Sequence, residues 1–116
     1  MPPARELDPA TAARAFGRGS FNLLRRGANG SLTLSADHWR LEPARSTPHT
    51  FCFAARDTAA PDLLVDLADV ERLVWDRLPK QQVRSQIRFY FRGGDVWTFS
   101  GSVDESALRD PPPESA

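Results

Sequence analysis

The amino-acid sequence predicts a mainly β domain, a small antiparallel framework preceded by one short helix. Three observations lead there. Gln86–Ser100 sets large apolar side chains alternately with Arg, Tyr, Thr and Ser around Gly93, Gly94 and Asp95, the period-two pattern of a half-buried β-hairpin. Short alternating runs bounded by Gly, Pro and Asn follow one another from residue 20 onward. Ahead of them, Asp8, Pro9 and Gly17 supply the start and stop signals of a helix.

Taken in order, residues 1–6 read as disordered. Leu7 to Gly17 reads as a two-turn helix, with Asp8 as N-cap, Pro9 at the first helical position and Gly17 at a left-handed exit. Two turns are unstable alone in water, so Phe16 has to dock onto something. Ser20–Arg26 is a first strand, with Phe21 and Leu23 set against Asn22 and Leu24, and it ends at the loop Gly27–Gly30. Ser31–Ser35 and His38–Glu42 pair as a hairpin turning at Ala36 and Asp37. Leu34 then faces Trp39 and Leu32 faces Leu41, all four inward. Pro43–Pro48 is a loop, Phe51 and Phe53 mark a further strand, and Thr58–Pro61 is another loop.

Asp62–Leu78 reads two ways. Leu67, Val70, Val74 and Leu78 recur at helical spacing between a capping Asp62 and a stopping Pro79. Yet Val65, Asp66 and Leu67 alternate, and the segment is rich in strand formers; periodicity alone does not decide. A polar connection leads into the strong hairpin. Beyond it, Asp104–Asp110 has the length of a short helical turn, and Pro111, Pro112 and Pro113 end regular structure.

The hairpin's register follows from burial. A two-residue loop would put Trp97 and Phe99 on the face of Arg88, Tyr90 and Arg92. A three-residue loop, Gly93 to Asp95, pairs Phe91 with Trp97 and Phe89 with Phe99 and gathers the rings on one side. A one-residue slip swaps faces, so burial selects the second, with Asp95 taking the left-handed position.

At 116 residues and 12.9 kDa the chain is one domain, residues 7–110, with a Pro-rich tail over 111–116. Fifteen basic and fifteen acidic residues leave no net charge, which argues against a general nucleic-acid binder. Cys52 stands alone between Phe51 and Phe53, so no internal disulfide forms, and the thiol reads as a small buried hydrophobe. No apolar run approaches the roughly 18 residues that span a bilayer. A cytoplasmic location is the expectation.

The order of features resembles a known family. Gly30-Ser31-Leu32-Thr33-Leu34-Ser35 with Asp37 and Trp39-Arg40-Leu41, then Val65-Asp66-Leu67-Ala68-Asp69-Val70, then Ile87-Arg88-Phe89 and Gly93-Gly94, are similar to the pleckstrin-homology-like (PH-like) superfamily in its bacterial and GRAM-type members. The resemblance covers residues 20–103. It implies two packed antiparallel sheets forming a partly open barrel, and hence a bent strand over 63–75. Members usually carry a C-terminal helix that plugs the barrel. Here only Asp104–Asp110 is available, so helix 9–16 is expected to cover the opening instead.

Candidate sites are sparse. Lipid-binding members of that superfamily grip phosphorylated headgroups with basic residues near the first loop, where this chain has Arg25, Arg26 and Arg40; a solvated strand end is the plainer reading. Arg88, Tyr90 and Arg92 line one face of the last hairpin, with Thr98 and Ser100 across from them. This face suits a protein partner, since Tyr and Arg are common interface anchors, or is simply hydrated. His38 and His49 lack further metal ligands at a recognisable spacing, and Asp69 and Glu71 lack a nearby base or nucleophile. No catalytic residue, metal or cofactor is expected. The reading is therefore a non-catalytic protein-binding or scaffold module, with self-association through open sheet edges. The alternative is peripheral binding of an anionic lipid or phosphorylated ligand through Arg25, Arg26 and Arg40.

Overall fold

The computed structural model describes residues 5–17, 19–35, 38–56, 59–77 and 85–101. Over these residues it is mainly β, with nine antiparallel strands in one sheet and one α-helix. Strand β1 (Arg5–Leu7) leads into α1 (Pro9–Phe16), followed by β2 (Phe21–Arg26), β3 (Leu32–Leu34), β4 (Trp39–Leu41), β5 (Thr50–Ala55) and β6 (Leu63–Asp66). A 3₁₀ turn at Leu67–Asp69 joins β6 to β7 (Val70–Arg77), and β8 (Ser85–Phe91) with β9 (Val96–Gly101) completes the sheet. The spatial order is β1-β7-β8-β9-β2-β4-β5-β6, with β3 beside β2.

The expected pair of sheets is thus one continuous sheet that curls without closing. In a flat sheet β5 and β9, with β4 and β2 between them, would lie three spacings apart, roughly 14 Å. Instead Phe53 of β5 stacks on Phe99 of β9 with ring centroids 4.5 Å apart. Phe21, Leu23, Phe51, Phe53, Val65, Ile87, Phe89 and Phe99 line the concave side, each no more than 2% exposed.

Helix α1 fills that concavity. Asp8 caps it by accepting from Thr11 through both backbone and hydroxyl, at 3.3 and 2.6 Å. The hydroxyl bond is the main reason the Asp8 carboxyl is held below its ordinary range. Phe16, at the far end, has no exposed surface and meets Phe21, Phe53 and Phe99 edge-on at 4.9, 5.1 and 5.5 Å. The docking that a two-turn helix requires is supplied by this ring. Gly17 leaves the helix in right-handed geometry, not the left-handed exit expected of it, and its N–H bonds Arg14 O.

Several other expectations need correction. Arg5 and Glu6, read as disordered, form β1 and pair with Trp75 and Val74. Residues 31–42 do not make a hairpin. Strands β3 and β4 both run antiparallel to β2, Leu34 opposite Leu24 and Trp39 opposite Phe21, so they are one strand interrupted at a corner. Leu32 and Leu34 consequently point outward, while Trp39 and Leu41 are buried. The bent strand over 63–75 is present as β6 and β7, with the bend at the 3₁₀ turn. The turn at 104–110 and the tail at 111–116 lie outside the described residues.

The last hairpin keeps its rings together but closes one step earlier than expected. Phe89 pairs with Trp97 and Ile87 with Phe99, and Phe91 bonds Asp95 across a loop of Arg92, Gly93 and Gly94. The left-handed residue is Gly94, at φ 101°, where a residue without Cβ pays no steric penalty and Asp95 would. The slip is two residues in total, so parity survives and the rings stay on the concave side.

Two outcomes follow from this packing. Phe16→Ala should lower the unfolding free energy by about 3–5 kcal/mol in urea denaturation, because it empties the middle of the core; a cost near zero would show that the helix does not hold the sheet. Gly94→Ala should cost about 1–3 kcal/mol from its backbone conformation, and a Cβ there would also meet that of Ala28 at 3.0 Å. Gly93→Ala, which meets nothing within 4 Å, should stay within about 0.5 kcal/mol in the same assay.

Candidate binding surface

The convex face can be read row by row from the strand registers. One row runs Arg72, Tyr90, Val96, Arg26, Leu32 across β7, β8, β9, β2 and β3. The next runs Val74, Arg88, Thr98, Leu24, Leu34, and a third runs Asp76, Gln86, Ser100, Asn22. The two halves of this face differ in chemistry.

Over β7 and β8 the polar groups engage one another. Arg88 donates to Asp76 at 3.0 Å, with both side chains about a quarter exposed. Tyr90 lies between two guanidinium groups, Arg72 at 4.5 Å and Arg88 at 5.6 Å from its ring centroid. Arg88 and Tyr90 therefore do share a face, as expected. Arg92 does not join them. It sits in the loop, where its backbone N–H bonds Asp69 O at 2.9 Å and its Nε bonds Ala68 O at 3.1 Å, pinning the hairpin to the 3₁₀ turn.

Over β2 and β3 the face is apolar and open. Leu24, Leu32 and Leu34 are 36%, 61% and 70% exposed. Sequence reasoning missed this patch because it turned Leu32 and Leu34 inward. The available signal was Leu24, an apolar residue at the outward position of β2.

The three arginines considered for phosphate binding do not converge. Arg25 and Arg26 are neighbours on β2 and so point to opposite faces. Arg26 is exposed on the convex side. Arg25 is half-buried on the concave side, its guanidinium 5.1 Å from the Trp97 ring centroid and its buried Nε without a hydrogen-bond partner among the described residues. Arg40, exposed on β4, lies about six residue rises along β2 from Arg26, roughly 20 Å.

Elsewhere, Asp95 accepts from Ala28 N–H at 3.0 Å and ties loop 27–30 to the last hairpin. Cys52 is buried, though beneath the loop after β4 and not in the core. Glu42 N–H bonds its carbonyl at 2.7 Å, and its own N–H bonds Ser46 Oγ at 3.0 Å. Burial pushes its thiol pKa up, which disfavours the nucleophilic thiolate. Arg45 on that loop pairs with Asp62 at 2.5 Å, which pushes the guanidinium pKa further up. A groove of about 700 Å³ separates this loop from α1, walled by Pro9, Ala13, Leu41, Pro43, Pro48 and Phe51. Among the described residues no three His, Cys, Asp or Glu side chains gather as a metal site, and no helix is long and apolar enough to cross a membrane.

Comparison with known proteins finds no matching family model, no similar curated protein and no similar solved structure.

Proposed function

We propose that this chain is a non-catalytic protein-binding module of PH-like type that docks its partner on the β2–β3 end of the convex face. The observation that carries the reading is the run of exposed Leu24, Leu32 and Leu34 at strand β3, which among the described residues has a neighbour on one side only. Exposed apolar side chains beside unpaired ladder groups are what β-strand addition uses, main-chain bonds giving affinity and side chains specificity. A binding role in preference to catalysis is supported by how the charged groups are employed. Asp76 holds Arg88, Asp62 holds Arg45, Asp8 caps α1 and Asp95 fixes loop 27–30. The PH-like reading is supported by a curled, unclosed antiparallel sheet with a helix inserted in its concavity. The helix comes from the N-terminal side, unlike the usual pattern of that superfamily.

Leu34→Lys tests the docking reading. Its side chain is mostly exposed, so unfolding free energy should change by no more than about 0.5 kcal/mol. Capture of partners by cross-linking in cells of the source organism should fall at least tenfold, a loss of about 1.4 kcal/mol or more. Undiminished capture would place the docking site elsewhere.

A second reading, binding of an anionic lipid or phosphorylated ligand, draws on Arg25, whose buried Nε has no hydrogen-bond partner among the described residues. Cosedimentation with vesicles containing phosphatidylserine should then be salt-sensitive and weakened in Arg25→Ala. Equal sedimentation of both proteins would remove this reading.

A further inference from the structure

We propose that the partner of the β3 edge is a second copy of this chain, paired antiparallel about a two-fold axis at Thr33. The inference rests on the reading of β3 as a docking edge and adds the occupant and the register. Ladder alternation sets which groups are free. Gly27 N–H bonds Ser31 O at 2.8 Å and Ser35 N–H bonds Leu23 O at 2.9 Å. Bonds to β2 therefore come from residues 31, 33 and 35 of this strand, and the backbone N–H and C=O of Leu32 and Leu34 point to the opposite side. Among the described residues no strand lies there.

Among the described residues three strands, β1, β3 and β6, have a neighbour on one side only. Charge is a common means by which sheets block edge pairing, and β1 carries Arg5 and Glu6 while β6 carries Asp66. Ser31–Ser35 contains no charge and no proline. Two such edges brought together meet no charge repulsion along the strand, so nothing in its charge opposes pairing with itself.

Pairing centred on Thr33 uses every free group. Leu32 of one copy and Leu34 of the other form a hydrogen-bonded pair, twice by symmetry, giving four backbone bonds. Thr33 faces its own mate as a non-hydrogen-bonded pair. Leu24, Leu32 and Leu34 of both copies then form one apolar strip across the axis, an isologous contact that closes on itself. The area sets the strength. Such pairing buries on the order of 600 Å² in total, about half the ~1,200 Å² of stable specific interfaces. The dimer is therefore weak, reversible and dependent on local concentration.

Sedimentation velocity of the full chain, from micromolar to millimolar concentration, should show mass rising from monomer toward dimer. Leu34→Pro removes an outward N–H while leaving the bonds to β2 intact, and Leu34→Lys puts a charge into the apolar strip one residue from the axis. Both should remain monomeric, with melting temperature nearly unchanged for Leu34→Lys, which carries the test if the proline variant folds poorly. Register is read by cysteine cross-linking under oxidised glutathione. Thr33→Cys places its mate at a Cα separation near 4.5 Å, within disulfide reach, whereas the mate of Ser31→Cys is roughly 13 Å away. Thr33→Cys should cross-link at least about tenfold faster, because pairing raises the effective thiol concentration.

Equal rates at the two positions, or a dimer that persists in Leu34→Lys, would overturn the pairing. A wild-type chain that stays monomeric throughout also overturns it. If that monomer still captures partners through Leu34, the docking edge stands and only its occupant was misassigned; if it captures none, both fall.

Discussion

Phe16 is the contact on which the rest of the structure depends. A sheet that curls but does not close leaves its concave face short of apolar cover at the open seam, and a short helix has no stability of its own to offer. The two deficits cancel when the ring enters the pocket formed by Phe21, Phe51, Phe53, Phe89 and Phe99. Edge-on ring geometry adds to the area buried, on the order of 0.5–1.5 kcal/mol per pair. Because these rings sit on β2, β5, β8 and β9, one side chain joins four strands across the curl of the sheet. That curvature in turn decides which residues face outward as a convex surface.

The convex surface inherits its asymmetry from strand pairing. Strand β7 lies one strand in from the β1 edge and β8 two, and their polar residues have partners across the ladder, as in the Arg72–Tyr90–Arg88 stack. At β3 the ladder stops. Leu24 lies between Thr98 and Leu34, and among the described residues no strand pairs with Leu34 on its other side. An apolar group in the middle of such a face would be sheltered by its neighbours; at the rim it is left to solvent or to another molecule. The placement of these leucines thus follows from topology as much as from composition.

How much of this could be read in the sequence depends on the distance over which each signal acts. Parity within the last hairpin was legible, since alternation puts Ile87 with Phe89 and burial selects the register that sets Phe99 beside them. The turn's fine geometry was not, because both Gly94 and Asp95 are compatible with the left-handed region and only the closure of the ladder separates them. The helix start was legible from Asp8 and Pro9, whereas its exit through Gly17 obeys the dock of Phe16 more than the residue's freedom. The corner between β3 and β4 left no local mark. Leu32, Leu34, Trp39 and Leu41 match as well across a hairpin as along a broken strand, and the choice is made by β2, which pairs with both. The outward turn of Leu32 and Leu34 and the distance of Arg40 from Arg26 depended on that choice, so the surface was harder to read than the fold. The opposite facing of Arg25 and Arg26, by contrast, follows from alternation in β2 alone.

The order in which the chain is synthesised has a consequence for this architecture. Helix α1 emerges early, yet four of the rings around Phe16 follow it by some 35 to 83 residues, and β2 finds its main neighbour only in β9. Contacts so distant along the chain close slowly. On a ribosome the growing polypeptide holds its aromatic plug ready while the cavity meant for it does not yet exist. Until β9 has emerged, Phe16 and the rings that will enclose it are exposed together, and apolar surface that the finished sheet hides is open to other chains.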